Sequence, residues 1–265
     1  MRILTLNIWQ EQGPWSQRMD AICDALEALA PDLICLQEVR EVPQKIPNQA
    51  ETLAEALGME YVYEVAQPWG GGDEGIAILS RDPVRRRVSA ELPTGEGRSR
   101  RVVLGARVEP SSGVGVWVFT THLAYRLRDG ALREAQVVAV DQFIEAQRED
   151  GETVVLCGDF NAIPEADEIR YLKGLTTLEG RRAYYQDAYC LLHPSAPGIT
   201  WSSENPYTEP MAFLPRDRRL DYVFVSPPTK EGRGRIYSCD IVCNTPNIHG
   251  IWPSDHYALV TVIEP

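Results

Sequence analysis

Short apolar runs of strand length recur from one end of the chain to the other, and only a few stretches between them carry helical spacing. "RILTLNI" (2–8) alternates apolar and polar residues, as a half-buried strand does. "SQRMDAICDALEALA" follows with Met19, Ile22, Leu26 and Leu29 on one helical face, Ser16 as the expected N-cap and Pro31 beyond the end. "DLICLQEV" (32–39) is a short apolar run ending in Gln37 and Glu38. "NQAETLAEALG" reads as a helix with Asn48 and Glu51 in capping-box positions and Gly58 as terminator. After residue 59 strands come in succession: "EYVYEVA", "GIAILSR", "RRVVLGARVE" and "VGVWVFTTHL", the last two joined by a hairpin turn at "PSSG" (110–113). A second long helix, "LREAQVVAVDQFIEAQ", leads to the buried strand "TVVLCGD" and the short helix "EADEIRYL". The last third holds "RLDYVFV", "IYSCDIVC" and "HYALVTVI" between proline-rich loops. Strand–helix alternation mixed with hairpins predicts a pair of mixed sheets with helices outside, an α/β sandwich.

No repeat, low-complexity tract or linker divides the 265 residues, so one domain over 1–265 is expected. No apolar run approaches the roughly 20 residues of a membrane span, and the first residues lack the form of a secretory signal. The six cysteines show no CxxC pair, and Cys35 and Cys157 sit inside strand-like runs, as reduced core residues of a cytoplasmic protein would. Net charge is −12, which weighs against tight nonspecific binding of a polyanion, although a local basic groove or a bound metal overrides such a balance.

Polar residues recur at the ends of the apolar runs. Asn7 follows "RILTL", Glu38 follows "LICLQ", His122 follows "VWVFTT", and Asp159 and Asn161 follow "VVLCG". Asp221 opens "DYVFV", and Asp255–His256 precedes "YALVTV". Each alone has an ordinary structural explanation: an aspartate after a strand caps loops, and a lone histidine is usually a satisfied core residue. Together they place carboxylates, amides and two of only four histidines at strand termini, where layered α/β folds assemble their sites. Carboxylates and an amide without Cys/His spacing suit a hard cation, Mg²⁺ or Mn²⁺, and histidines beside it suit acid–base chemistry on a phosphate.

The set "LNIW", "LQEV", "GIAILSR", "THL", "GDFNAIP", "RLDYVFV" and "SDHYALV" resembles, in that order, the endonuclease/exonuclease/phosphatase superfamily, the deoxyribonuclease I-like phosphoesterases. The resemblance implies a four-layered α/β/β/α sandwich of two mixed, mainly antiparallel sheets, with the site at one edge of the sheet pair. It implies metal ligation by Glu38 with Asn7 beside it and Asp255 as a further metal-side carboxylate. It implies that Asp159 positions or activates the attacking water, that Asn161 holds a phosphate oxygen, and that His256, paired to Asp221, acts on the scissile phosphate. His122 corresponds to a second catalytic histidine, and Glu74 to the carboxylate that partners it in some members. Trp9 and Trp252 are expected to wall the substrate pocket, and at least one of Arg126, Arg218 and Arg219, which lie near "THL" and "RLDY", to meet a phosphate.

The resemblance further implies a divalent-metal-dependent phosphodiesterase acting by in-line attack of water. "THLAYR" and "LNIWQEQ" look closer to the sphingomyelinase-like, deadenylase-like and small-phosphodiester branches than to the abasic-site nucleases. A small phosphodiester substrate is favoured, a nuclease or nucleic-acid end-processing enzyme is the alternative, and a non-catalytic binding module is the least supported. Neither integral membrane association nor a protein partner is expected.

Overall fold

The computed structural model describes residues 1–110, 113–149 and 151–265. The turn expected at 110–113 falls on residues 111 and 112, outside the described residues. Among the described residues twelve strands form two sheets: β1 (Arg2–Asn7), β2 (Leu33–Glu41), β3 (Glu60–Trp69), β4 (Gly72–Ser80), β5 (Val84–Glu91), β6 (Val102–Val108), β7 (Val116–His122), β8 (Thr153–Asp159), β9 (Gln186–Asp187), β10 (Asp221–Val225), β11 (Ile236–Val242) and β12 (Ala258–Ile263). The first sheet runs β11-β12-β1-β2-β4-β3 and the second β5-β6-β7-β8-β10-β9. Only β1/β2 and β7/β8 pair in parallel; the other pairs are antiparallel.

Strand alternation separates the apolar residues into layers. Ile3, Leu33, Cys35 and Ile78 of the first sheet meet Leu104, Val118, Val155 and Val223 of the second between the sheets. Their neighbours Leu4, Leu6, Ile34 and Leu36 face outward beneath α1 (Trp15–Leu29) and α2 (Gln49–Leu57), through Ile22, Leu26 and Leu53. Phe119, Leu156 and Phe224 do the same under α3 (Gly130–Glu145) and α4 (Asp167–Leu172), through Val137, Ile144 and Ile169. The result is the expected four-layered sandwich. No helix among the described residues is long and apolar enough to cross a membrane.

Several local expectations shift. Helix α1 begins two residues early, with Pro14 rather than Ser16 at the cap and no side-chain cap bond. It ends at Ala30 in the left-handed conformation, ahead of Pro31. Asn48 caps α2 through the amides of Ala50 and Glu51, but Glu51 takes the Tyr61 hydroxyl instead of closing a capping box. Strand β5, "VRRRVSAE", is an edge strand whose arginines mask its apolar residues in sequence, a charge pattern that also discourages edge pairing.

Towards one end of the inter-sheet layer the packing turns polar. The Gln37 side chain donates to Thr5 Oγ1 at 3.1 Å and across to Thr120 Oγ1 at 3.0 Å, joining the sheets one residue before the site. Gly158 lies there at φ 141°, and a Cβ on it would overlap the Thr121 carbonyl oxygen of the parallel neighbour. We expect Gly158→Ala to lower the urea unfolding midpoint, at a cost of roughly 3 kcal/mol or more, since strain and overpacking add there.

Candidate active site

Register brings the strand-end residues together. His122 on β7 and Asp221 on β10 both stand opposite Asp159 on β8, so three adjacent strands form one row. Asn7, ending β1, stands opposite Gln37 on β2 in the other sheet. Glu38 would point to the outer face by alternation. A bulge between Leu36 and Val39, with Glu38 at φ 56°, turns its carboxylate into the site. Strand β2 therefore does not end at Glu38 but runs on to Glu41. Trp9, Gln10 and Asn161 also adopt positive φ. Backbone strain thus concentrates where the functional side chains are aimed.

Asp159, 1% exposed, is the hub. Its Oδ1 accepts the Asn161 amide at 2.8 Å and its Oδ2 accepts Asn7 Nδ2 at 3.1 Å. Asn7 Nδ2 also donates to Glu38 Oε1 at 3.1 Å, and Asn7 Oδ1 accepts from the Trp9 amide. Asn7 therefore bridges the two carboxylates. Two histidines approach the same Asp159 oxygen: His122 Nε2 at 3.4 Å and His256 Nε2 at 3.8 Å. His256 Nδ1 lies 2.8 Å from Asp221 Oδ2. Asn161 Nδ2 is anchored to the Leu123 carbonyl. Ser254 Oγ donates to the Asn7 carbonyl at 2.6 Å and sets the segment that carries Asp255 and His256.

These side chains face a cleft of about 400 Å³, lined by Glu38, Glu74, Asp159, Asn161, His122, Asp255 and His256, with Trp9, Trp69, Tyr125 and Trp201 around it. Burial raises the Asp159 pKa to about 6, Asp221 adds to the rise, and His256 opposes it. Burial alone would lower the His256 pKa, but the carboxylates of Asp221, Asp159 and Asp255 hold it well above the ordinary value. His122 goes the other way: burial, Arg101 and His256 keep it well below. One carboxylate oxygen thus faces a cationic and a neutral imidazole.

Glu38 opens onto the cleft but is enclosed elsewhere. Burial, then Glu74 and Asp255, raises its pKa to about 8. Asp255 is raised by burial as well. Among the described residues Glu38 has Asn7 as its hydrogen-bond donor and no ion-pair partner. Carboxylates facing one cleft, one of them without a countercharge, fit a hard divalent cation held by oxygen donors. A buried Asp159–Asp221–His256 group also offers ligand atoms within 4.8 Å of one another. There the His256–Asp221 bond already occupies Nδ1, so the group works as a hydrogen-bonded ion pair.

Four expectations change on folding. Glu74 does not bond His122, because Arg101 stands between them: Arg101 Nη1 is 3.0 Å from His122 Nδ1 and 3.6 Å from Glu74 Oε1. The other Glu74 oxygen accepts Gln10 Nε2 at 3.0 Å and Gln67 Nε2 at 3.2 Å. Arg126 lies outside the cleft, its guanidinium 5.8 Å from the Tyr125 ring; the arginines that line the cleft are Arg101 and Arg218, the latter stacked over Trp201 at 5.0 Å. Trp252 stacks on Tyr257 at 5.8 Å and does not line the cleft, whereas Trp9 does, backed by Tyr207. Asn7 presents its NH₂ group rather than its oxygen to the carboxylates. The sequence reading missed Gln10, Gln67 and Arg101. Arg101 sits in "GRSRRVV", where it looks like any solvated basic run.

Comparison with known proteins bears on the family and the fold. A family model described as "Endonuclease/Exonuclease/phosphatase family" matches residues 4–256. The uncharacterized protein YbhP of Escherichia coli is 30% identical over 172 residues, 60% of this chain and 66% of that protein. Nocturnin of Drosophila melanogaster is 28% identical over 96% of this chain but 43% of its own length. The chain thus spans less than two thirds of these relatives. Among solved structures, TDP2 of D. rerio complexed with single strand DNA product superposes with a TM-score of 0.80 at 20% identity, covering 100% of this chain and 99% of that one. The human Nocturnin catalytic domain with bound sulfate anion gives 0.73 at 22% identity, covering 99% and 94%. At these identities the superpositions establish the shared fold.

A pH dependence follows. Glu38 and His256 both have folded pKa values above their unfolded ones, so the stability they contribute is present at low pH and lost as pH rises through the folded values. His122 has the opposite sign, and its effect is complete above its ordinary value near 6.5. The metal-free protein should therefore lose Tm from about pH 6.5 to about pH 8.5, and Glu38→Gln should flatten that fall. Mn²⁺ at about a hundred times its Kd should raise Tm by roughly 5–10 °C, more at the upper pH, because the cation displaces the Glu38 proton. Differential scanning calorimetry reads both effects.

Proposed function

We propose that this chain, which belongs to the endonuclease/exonuclease/phosphatase family, is a divalent-metal-dependent phosphodiesterase whose site is formed by the ends of both sheets. The observation that carries the reading is the single Asp159 oxygen faced by two histidines, one paired to a carboxylate and the other to a guanidinium, and bridged through Asn7 to Glu38. Environments that drive neighbouring groups apart in pKa assign acid and base roles. That both sheets contribute residues supports reading 1–265 as one catalytic domain. Six unpaired cysteines suit a reducing, cytoplasmic setting.

Glu38 and Asp255 would hold Mg²⁺ or Mn²⁺, with Asn7 fixing the Glu38 carboxylate from behind. A bound cation supplies neutralisation of the phosphoryl oxygens' charge. Asp159, ionised above about pH 6, accepts the proton of the attacking water from a position set by the Asn161 amide and Asn7. As the bond from phosphorus to the leaving oxygen breaks, the His256 imidazolium, oriented by Asp221, gives that oxygen its Nε2 proton, and neutral His122 donates its Nε2–H to a phosphoryl oxygen from the other side. The second Nδ2–H of Asn161 is available to a further oxygen. Arg218 meets the charge of the ester or of its substituent.

A nucleotide-type ester is the second reading. Trp69 and Tyr125, 50% and 43% exposed, line the cleft, and exposed aromatic rings beside a phosphoester site suit stacking on a base.

Hydrolysis of bis-p-nitrophenyl phosphate with Mg²⁺ or Mn²⁺ tests the proposal. EDTA should abolish the activity. Asp159→Asn and His256→Ala should each lower kcat by roughly 10²- to 10⁴-fold, measured below the Tm of each variant so that the loss is not one of folding. A wild-type protein inert with every divalent cation would sink the enzyme reading, and unimpaired variants would sink the role assignments. Arg218→Ala should raise KM more than it lowers kcat. Short single-stranded oligonucleotides cleaved faster than non-nucleotide diesters would favour the second reading.

A further inference from the structure

Glu74 and His122 are separated by a guanidinium that the proposed chemistry does not use. Arg101 immediately precedes β6 and is 4% exposed. It spans the two sheets, from Glu74 on β4 to His122 at the end of β7. Its Nη1 lies 3.0 Å from His122 Nδ1. A guanidinium nitrogen donates and has no acceptor capacity, so Nδ1 must accept. The single ring proton is then on Nε2, the nitrogen 3.4 Å from Asp159 Oδ2. A doubly protonated ring would set an N–H against the Arg101 N–H. A carboxylate in the same place would have the reverse effect: it would take Nδ1–H and favour the imidazolium, as Asp221 does for His256. Arg101 is held in turn. Glu74 Oε1 faces its Nη1, while Gln10 and Gln67 fill Glu74 Oε2 and keep that carboxylate turned toward Arg101.

We infer that Arg101 is a positioning residue that fixes His122 as a neutral Nε2–H donor aimed at the reacting centre, with Glu74, Gln10 and Gln67 holding Arg101 in place. The catalytic consequence rests on the reading of this cleft as a phosphodiesterase site; the tautomer itself does not. The groups at Nδ1 make the two histidines unlike: Asp221 gives His256 an acceptor there, and Arg101 gives His122 a donor. The arrangement gives the site one charged and one neutral hydrogen-bond donor at a single carboxylate.

Long-range ¹H–¹⁵N correlation of the histidine rings in the unliganded protein reads the tautomer directly, with His122→Gln identifying the signals. Wild-type His122 should show an unprotonated Nδ1 and a protonated Nε2 from about pH 6 to about pH 8. Arg101→Leu should mix the two tautomers and lower kcat on bis-p-nitrophenyl phosphate by about tenfold or more, with KM changing less. Arg101→Lys, which keeps a cationic donor, should restore the Nε2–H form and most of kcat. Nδ1–H or imidazolium at His122 in the wild-type protein overturns the inference without reference to any variant. So does a full kcat in an Arg101→Leu protein whose tautomers are mixed. A wild-type protein that shows the Nε2–H tautomer yet cleaves no phosphodiester counts against the hydrolase reading alone.

Discussion

The structure turns on a buried carboxylate. Asp159 ends a central strand and is almost wholly removed from water, a placement that costs several kcal/mol unless donors surround the charge. Those donors come from every side: the Asn161 amide two residues on, Asn7 from the opposite sheet, and imidazoles from a neighbouring strand and from the segment before β12. Each of them is itself tied down. Asn7 is fixed by the Trp9 amide, His256 by Asp221 and His122 by Arg101. A displacement of any one leaves Asp159 less satisfied, so the two sheets must meet in one register at this end.

Strain is the second ingredient. A regular strand can offer alternate residues only, and the site needs side chains that alternation would send elsewhere. The bulge at Glu38 and the left-handed conformations of Trp9, Gln10, Glu38 and Asn161 solve this locally. Their cost is offset by packing further back. Arg18, fully buried, donates to the carbonyls of Ile8, Trp9, Gln10, Gln12 and Pro253, which locks the loop after β1 against the loop before β12. Burial lowers its pKa to about 10, yet it stays charged at neutral pH. A guanidinium suits that position because its fork of donors answers several carbonyls at once.

Much of the site was legible before folding, and the reason is chemical. Glu38, Asp159, Asn161, Asp221 and His256 each stand at or beside the end of an apolar run, where hydrophobic patterning makes a polar residue conspicuous. Their company in one cleft follows from the order of the strands. Arg126 and Trp252 were inferred from nearness in sequence to a motif, whereas the Glu74–His122 contact was what the resemblance implied. Arg126 lies four residues after His122 but on a turn that leaves the cleft, while Arg218 reaches it from 96 positions further along than His122. Arg101 carried no signal at all, because a buried arginine and a solvated one look alike until their partners are known.

The amino-acid order alone was enough to specify most of the elements, their layering and the carboxylates and histidines of the cleft, since period-2 and period-3.6 patterns and strand-end polarity are local properties. Folding alone could set which side chain faces which: that Arg101 rather than Glu74 meets His122, that Asn7 turns its amide nitrogen to two carboxylates, and that Glu38 points inward from a bulge. Those outcomes depend on interatomic distances of about 3 Å between residues far apart in the chain. At that range hydrogen-bond polarity, burial and charge act together, and sequence spacing carries none of the three.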